Sequence, residues 1–302
     1  MTTLSRRRFL TISASTLAVP AFAMDAPIAS WSGTAMGASA SMQLQGVTPE
    51  VAAPIFAGVE QELGRLENIF SLYRPDSELS RLNQTGHLKN PAPELLEVLS
   101  LCDALHHSSG GAFDPSIQPY WQALARRAPE PELVQARGLI GWENVRFDPR
   151  SVRFEKGPGM ALTLNGVAQG AVTDRIAALL RAQGLQDVMV NMGEISARGN
   201  RRGAGGWTAG IATPEGRVVH RVTLQDRAIA TSSPRGMMIN PDLGVGHILD
   251  ALGQAPQRGL VSVTAPTAAL ADGLSTALCL LDDQAAELAL RAHPTAELVY
   301  SA

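Results

Sequence analysis

The sequence predicts a single α+β domain in which helices flank a largely antiparallel sheet. Three observations support this prediction. Apolar residues recur at helical spacing in several segments, short strand-like segments are separated by Gly, Pro and Asn, and no long polar linker divides the chain. Of the 302 residues, 45% are hydrophobic and 18% are charged, which is typical of globular proteins.

The first 23 residues have the pattern of an export signal. Ser5-Arg-Arg-Arg-Phe-Leu10 opens a short apolar segment that ends in Ala21-Phe-Ala23, a small-x-small cleavage pattern. The apolar part, residues 9–19, is shorter than the roughly 20 residues that a membrane-spanning helix needs. We therefore expect export by the twin-arginine machinery, cleavage after Ala23, and a periplasmic domain at residues 24–302 without a membrane span.

The charge balance excludes a nucleic-acid-binding protein. Removing the three arginines of the signal leaves 22 Lys and Arg against 28 Asp and Glu, a formal charge of -6. Nucleic-acid binding requires a basic surface that neutralises phosphates. We expect no nucleic-acid partner.

The first half of the mature chain is predicted to be mainly helical. Apolar steps of three and four predict helices over residues 51–69 and 93–107. Between them, Pro75 and Ser77 indicate a turn and a capped short helix. Paired glycines at Gly110 and Gly111 end this region, and a strand is predicted over residues 152–154.

The second half is predicted to combine strands with helices. Residues 162–164 are interpreted as a strand that leads through a glycine-bracketed turn, residues 165–170, into a helix ending at Gly184. This turn is either an anion site at a helix N-terminus or an ordinary connection. Further strands are predicted over residues 188–191, 207–212, 217–225, 228–231 and 261–264, and helices over 268–281 and 284–292.

Asp272 and Thr276 are the strongest candidates for a chemical site. They lie four residues apart in a predicted helix, so that both side chains share one face. A carboxylate beside a hydroxyl suits Mg²⁺, which prefers hard oxygen ligands. The alternative is that Asp272 stabilises the helix dipole and Thr276 bonds to its own backbone.

Asp114 is a second candidate, because it stands between a glycine-rich segment and Pro115. We expect a rigid turn that aims its side chain outward towards a ligand, with a turn-initiating Asp as the alternative. The six histidines show no metal-ligand spacing, and no serine-hydrolase elbow is present. Cys102 and Cys279 are interpreted as buried apolar residues that would form a disulfide only if they met.

Short motifs run in order along the whole mature chain. They are Met36-Gly-Ala-Ser39, Ser71-Leu-Tyr73, Ser77-Glu-Leu-Ser-Arg-Leu-Asn83, Gly111-Ala-Phe-Asp-Pro115, Asn165-Gly-Val-Ala-Gln-Gly-Ala-Val-Thr-Asp174, Val190-Asn-Met-Gly-Glu194, Ala230-Thr-Ser-Ser233, His247-Ile-Leu-Asp250 and Ala271-Asp-Gly-Leu-Ser-Thr-Ala277. In identity and order they resemble the motifs of the ApbE family of FAD:protein FMN transferases.

The resemblance implies a Mg²⁺-dependent enzyme that cleaves the pyrophosphate of FAD. The FMN half would be esterified to a Thr or Ser hydroxyl of a target flavoprotein, with release of AMP. The resemblance implies that the metal is held by the side chains of Asp272 and Thr276 and by the backbone carbonyls of Ala168 and Ser275. It makes Asp272 and Asp114 the catalytic residues, Asp114 either orienting ribose or phosphate or helping to activate the acceptor. The implied flavin-nucleotide contacts are Met36, Tyr73, Ala112, Phe113, Asp114, Asn165, Ala171 and Leu249.

Departures from the family pattern leave a second function open. Gln169 stands where the family often has Lys, Ala171 replaces a common Tyr, Ala38 replaces a Thr, and residues 251–254 replace a Pro-x-Thr-Gly segment. Loss of a cation near a phosphate would weaken binding. The alternative is therefore a non-catalytic periplasmic flavin-binding accessory protein that serves maturation of a flavoprotein or of nitrous-oxide reductase.

Overall fold

A computed structural model describes residues 10–11, 27–201, 205–251 and 253–302. The strands are β1 (Leu10–Thr11), β2 (Ile28–Ala35), β3 (Ala38–Gln45), β4 (His87–Lys89), β5 (Val145–Asp148), β6 (Ser151–Phe154), β7 (Val188–Asn191), β8 (Ile195–Arg198), β9 (Trp207–Ala212), β10 (Val218–Leu224), β11 (Arg227–Ser232), β12 (Met238–Asn240), β13 (Val245–Gly246), β14 (Val261–Ala265) and β15 (Glu297–Ser301). The helices are α1 (Pro49–Phe70), α2 (Glu78–Thr85), α3 (Pro93–Ser108), α4 (Gln118–Ala125), α5 (Glu130–Arg137), α6 (Ala168–Ala182), α7 (Ala268–Leu278) and α8 (Asp283–Ala292).

Seven strands form the main sheet, in the order β15-β14-β11-β8-β7-β3-β2. Every neighbouring pair in this sheet is antiparallel. Together with the helices that pack against it, the sheet confirms the predicted α+β class. The predicted export signal lies outside the described residues except for β1, which pairs with β9. In the described part of the chain no helix combines the length and the apolar character needed to cross a membrane.

Both faces of the sheet are covered by apolar side chains. On one face, Val188 and Val190 join a large core that also contains residues of α1, α3, α6 and α7. On the other face, Met189 joins a smaller core around Trp207, whose indole Nε1 donates to the carbonyl oxygen of Arg198 at 2.9 Å. A strand buried on both faces has no polar alternation, which explains the continuous apolar pattern of β7.

A tight hairpin joins β2 to β3 and places its turn on α1. Its two loop residues, Met36 and Gly37, have φ angles of 50° and 75°. Positive φ at both positions is typical of a type I′ turn, which matches the twist of the flanking strands. The backbone N–H of Met36 donates to Glu67 Oε1 at 3.0 Å, so a residue of α1 fixes the turn.

Helices α6 and α7 cap each other with carboxylates. Asp174 of α6 accepts hydrogen bonds from the N–H groups of Ala268 and Ala269 at 2.8 and 2.9 Å, at the start of α7. In return, Asp272 Oδ2 of α7 accepts from the N–H of Gly170 in the first turn of α6, at 3.1 Å. Burial raises the pKa of the Asp174 carboxyl, against these hydrogen bonds. The paired caps satisfy backbone donors that helix starts leave without intrahelical partners.

Gly170 permits the close approach of these two helices. A Cβ atom at this position would lie 2.4 Å from the carbonyl oxygen of Ala268. Only a residue without a side chain fits there, so the glycine of the predicted turn is a packing requirement at the α6–α7 contact.

The predicted helices and most of the predicted strands are confirmed, but the strand predicted over residues 162–164 is wrong. In its place, the side-chain amide of Asn83 bonds to the backbone of Leu162, accepting from its N–H at 2.7 Å and donating to its carbonyl at 2.8 Å. A side chain therefore takes the position of a neighbouring strand. Cys102 and Cys279 are both buried and free, as the apolar interpretation predicted, and burial raises the pKa of each thiol.

Candidate functional site

A cleft of about 170 Å³ opens where the start of α6, the end of β11 and the middle of α7 meet. A second cavity lies beside it, against the β2–β3 turn and the end of α1, and Asn165 lines both. Among the predicted site residues, those that line the cleft are Ala112, Phe113, Asp114, Asn165, Leu249, Asp272 and Thr276. Met36 and Tyr73 line the second cavity.

Asp272 and Thr276 face the cleft together, as their spacing predicted. Asp272 is only 4% exposed, and it caps α6 rather than its own helix. The Thr276 hydroxyl lies 3.2 Å from Ser232 Oγ instead of bonding to its own backbone. The alternative, in which Asp272 stabilises its own helix dipole and Thr276 bonds to its own backbone, is therefore wrong. Both side chains are directed at the cleft.

The predicted anion site at the start of α6 is occupied by a carboxylate of the protein itself. The N–H of Gly170, one of the donors at this helix N-terminus, is bound by the carboxylate of Asp272. The turn at residues 165–170 instead brings backbone close to the site. A Cβ at Gly166 would lie 3.1 Å from Thr276 Oγ1 and 3.4 Å from the Phe113 ring.

Glu194 is a third carboxylate in the cleft, and residue spacing alone did not identify it. It lies in the turn between β7 and β8, is 8% exposed, and accepts from the N–H of Thr231 at 3.3 Å through Oε2. Burial and the nearby negative charge of Asp272 raise the pKa of Glu194 well above its usual value. The motif Val190-Asn-Met-Gly-Glu194 contained the residue, but only the sheet topology brings it beside Asp272.

The residues of the cleft fit a divalent cation by their chemistry. The described residues that line it include three carboxylate side chains, those of Asp114, Glu194 and Asp272, and no Lys or Arg. Buried carboxylates close to one another require positive charge or protonation. Within the described part of the chain no three His, Cys, Asp or Glu residues are grouped to hold a metal, so hydroxyl and carbonyl oxygens would have to complete its coordination.

Asp114 lines the cleft, and its carboxylate is at the same time bound within the protein. Its side chain is 5% exposed. Oδ1 accepts from the N–H and the hydroxyl of Ser116 at 2.8 and 2.6 Å, and Oδ2 accepts from the N–H of Trp142 at 3.3 Å. The carboxylate therefore caps the 3-10 turn Pro115–Ile117, which is the turn-initiating alternative. A catalytic role for Asp114 stays a prediction.

The histidine of the His247-Ile-Leu-Asp250 motif also lines the cleft. Its Nδ1 lies 3.3 Å from the carbonyl oxygen of Met237, and its own carbonyl accepts from Trp121 Nε1 at 3.0 Å. The ring is thus held on the segment that carries Leu249. The sequence motif contained His247, but the spacing of the histidines gave no reason to predict a chemical role for it.

Tyr73 and Phe113 differ in exposure. Tyr73 is 74% exposed beside the second cavity, so it is not a core residue and its ring is accessible to a ligand. Phe113 is buried, and its carbonyl oxygen lies 3.0 Å from His106 Nδ1. The aromatic surface predicted for a flavin nucleotide is therefore divided between the two cavities.

Three predicted site residues do not line either cavity. Ala168, Ala171 and Ser275 are buried in α6 and α7. The predicted metal contacts of Ala168 and Ser275 use backbone carbonyls and stay predictions, as does the flavin contact of Ala171. Gln169 lines the cleft and packs over Gly193.

Comparisons with known proteins agree with these motifs. The model of the ApbE family matches residues 36–299. The FAD:protein FMN transferase of Haemophilus influenzae is 29% identical over 243 residues, covering 72% of this chain and 70% of that protein. The FAD:protein FMN transferase of Chlamydia trachomatis is 30% identical over 239 residues, covering 73% of each chain.

Solved structures share the fold. The flavin transferase ApbE of Vibrio cholerae has a TM-score of 0.78 at 24% identity, covering 90% of this chain and 93% of that one. The apo form of the Pseudomonas stutzeri flavinyl transferase ApbE has a TM-score of 0.74 at 25% identity, covering 88% of both chains. The chain therefore belongs to the ApbE family and is a transferase enzyme.

Proposed function

We propose that this chain is a periplasmic, Mg²⁺-dependent FAD:protein FMN transferase. It attaches FMN from FAD to a Thr or Ser hydroxyl of a target flavoprotein and releases AMP. The observation that carries the proposal is the convergence of Asp272, Glu194 and Thr276 in one cleft. Their oxygen atoms suit a divalent cation, and the same cation can bind the diphosphate of FAD. The names of the relatives supply the flavin and the acceptor.

The two adjoining cavities suit a dinucleotide that carries aromatic rings and a diphosphate. Tyr73 offers an accessible ring in one cavity, and the oxygen donors line the other. Asn165 lines both, and its side-chain amide has donors that can bind phosphate oxygens between them.

The cation would be held by Asp272 and Thr276, with the carbonyls of Ala168 and Ser275 as further ligands. When bound, it would neutralise the charge that develops on the diphosphate during transfer. Burial and the charge of Asp272 raise the pKa of Glu194, and a cation bound beside both carboxylates would favour the ionised form of Glu194. Positioning and electrostatics would then provide most of the catalysis.

His247 is the side chain we assign to proton transfer from the acceptor hydroxyl. If Nδ1 carries the proton and donates to the carbonyl of Met237, Nε2 has the basic lone pair of the neutral ring. Asp114 is less suited to this role, since its carboxylate already accepts three hydrogen bonds within the protein. We therefore assign Asp114 to holding the Phe113 segment in place.

The alternative is a flavin-binding accessory protein without transferase activity, serving a flavoprotein or nitrous-oxide reductase. The presence of Gln169 at the cleft favours this alternative, because the family pattern often has Lys there and one positive charge near the phosphates would be missing. The accessory protein would bind the flavin through the same two cavities.

One assay separates these two functions. The purified protein is incubated with FAD, Mg²⁺ and an exported flavoprotein domain that bears an acceptor Thr, and the domain is then weighed by mass spectrometry. We expect an adduct with the mass of FMN and one AMP per adduct. Bound FAD without any adduct, with Mg²⁺, Mn²⁺ or Ca²⁺, would leave only the accessory function.

A further inference from the structure

Three hydroxyl groups form a continuous chain at the proposed cation site. Ser275 Oγ donates to the carbonyl oxygen of Asp272 at 3.0 Å, Ser232 Oγ lies 2.7 Å from Ser275 Oγ, and Thr276 Oγ1 lies 3.2 Å from Ser232 Oγ. Ser232 is at the end of β11, whereas the other two residues are on α7. Both serines are buried, and Ser232 and Thr276 also line the cleft, whereas Ser275 does not.

One assignment of protons satisfies all three contacts. A serine or threonine hydroxyl has one proton to donate and two lone pairs that accept. Ser275 donates its hydrogen bond to the Asp272 carbonyl oxygen, so it must accept the hydrogen bond that it shares with Ser232. Ser232 therefore donates its hydrogen bond to Ser275 and accepts one from Thr276. The proton of Thr276 then lies on the line to Ser232 Oγ, and the lone pairs of Thr276 Oγ1 point in other directions.

We propose that Ser232 and Ser275 are positioning residues that set the polarity of the Thr276 hydroxyl for cation binding. With its proton held by Ser232, Thr276 Oγ1 presents lone pairs to the cleft and acts there as an acceptor only. A cation is repelled by a hydroxyl proton and attracted by a lone pair, so this orientation prepares a ligand before the cation arrives. The inference rests on the proposed cation site at Asp272 and Thr276.

Substitution of Ser232 tests the proposal through binding of a metal rather than through activity. Mn²⁺ is used as the probe, titrated into the full chain without FAD and followed by electron paramagnetic resonance, and Mg²⁺ by calorimetry. We expect Ser232→Ala to weaken Mn²⁺ binding about tenfold, the low end of the effect of losing a residue that orients a metal ligand. Ser275→Ala should also weaken binding, since Ser232 then lacks its acceptor and can donate to Thr276.

A double-mutant cycle distinguishes positioning from general damage. Thr276→Val removes the hydroxyl that Ser232 orients, so adding Ser232→Ala to Thr276→Val should change Mn²⁺ affinity less than twofold. The matched control is Ser262→Ala, which removes another buried serine hydroxyl, bonded to Thr231 Oγ1 at 2.7 Å, and should leave Mn²⁺ affinity unchanged.

Each contrary result has a separate meaning. Folded Ser232→Ala and Ser275→Ala variants that bind Mn²⁺ like the wild type would overturn the inference while leaving the cation site intact. An equal loss from Ser232→Ala with and without Thr276 would overturn it too, because the serine would then act by another route. A wild-type chain that binds neither Mn²⁺ nor Mg²⁺ would refute the proposed cation site itself.

Discussion

Glu194 and Asp272 place two carboxylates in one buried part of the cleft, and this arrangement gives the site a measurable dependence on pH and metal. Because the folded state raises the pKa of Glu194, its ionised form opposes folding. Stability should therefore fall as pH rises from the ordinary Glu pKa, about 4.3, towards the raised value. A bound divalent cation would offset this loss.

We expect Glu194→Gln to remove the loss of stability that the ionised carboxylate causes at high pH. At pH 8 in the presence of a chelator, the variant should unfold about 2 °C above the wild type, the shift that about 1 kcal/mol produces in a chain of this order of size. Addition of Mg²⁺ should stabilise the wild type more than the variant. Thermal unfolding followed by circular dichroism checks both, and a wild type stabilised no more than Glu194→Gln would contradict the assignment.

Substitution of His247 should lower the rate of transfer, whereas substitution of Asp114 should lower stability. We expect His247→Ala to lower the transfer rate at least about 100-fold while FAD still binds, since general acid–base catalysis typically contributes that much or more. Asp114→Ala should instead lower the free energy of unfolding by about 1 kcal/mol through loss of a cap. Single-turnover rates and denaturant unfolding separate the two, and a His247→Ala enzyme with the wild-type rate would refute the proton-transfer role.

At the scale of elements, the α6–α7 contact connects the fold to the site. The two helices approach at Gly170, and the carboxylate that caps α6 is the proposed metal ligand Asp272. Displacing one helix from the other would therefore also move the site. The sequence predicted both helices from their apolar spacing, but the caps between them depend on tertiary contacts that no spacing reveals.

Gly170→Ala tests this connection. The added Cβ would meet the backbone of Ala268, which cannot move aside as a side chain does, so we expect a loss of about 1–3 kcal/mol of unfolding free energy and weaker Mn²⁺ binding. Gly58→Ala in α1 is the matched control. No atom lies within 4 Å of its added Cβ, and it should be neutral or stabilising by up to about 1 kcal/mol. If both variants unfold alike in urea, the close contact does not matter to stability.

The elements that the sequence failed to predict have physical reasons. Strand β3 alternates buried residues with exposed or half-buried ones, but its buried positions include the small residues Ala38 and Ala40, which give a weak apolar signal. The opposite error occurred at residues 162–164, where an apolar segment of strand character bonds to Asn83 instead of to a strand. In the second case the partner, Asn83, lies 79 residues earlier in the chain, and no local pattern reveals it.

At the scale of the whole molecule, the site draws on segments that are distant in sequence. The turn after β7, the end of β11 and the middle of α7 meet because β7, β8 and β11 are neighbours in the sheet. The spacing within α7 was enough to predict Asp272 and Thr276 as a pair. Glu194 and Ser232 could not be added to them from spacing, since their proximity is a property of strand order.

Substitution of Tyr73 tests whether the ligand extends from the cleft into the second cavity, which Tyr73 lines. We expect Tyr73→Ala to raise KM for FAD about tenfold with little change in kcat, because a ring stacked on a ligand contributes roughly 0.5–1.5 kcal/mol beyond buried area. Tyr300→Ala, in β15 and outside both cavities, serves as the control and should leave KM unchanged. Steady-state kinetics at varied FAD would contradict a flavin contact if Tyr73→Ala matched this control.

Transfer of FMN as a function of Mg²⁺, compared between the wild type and Asp272→Ala, tests the central claim most directly. The acceptor domain is weighed after incubation with FAD at increasing Mg²⁺, and a domain with its acceptor Thr changed to Ala is run beside it. The wild type should give an FMN adduct that requires Mg²⁺ and the acceptor Thr, and a folded Asp272→Ala should give none. An adduct that forms equally with chelator, or with Asp272→Ala, would contradict the account.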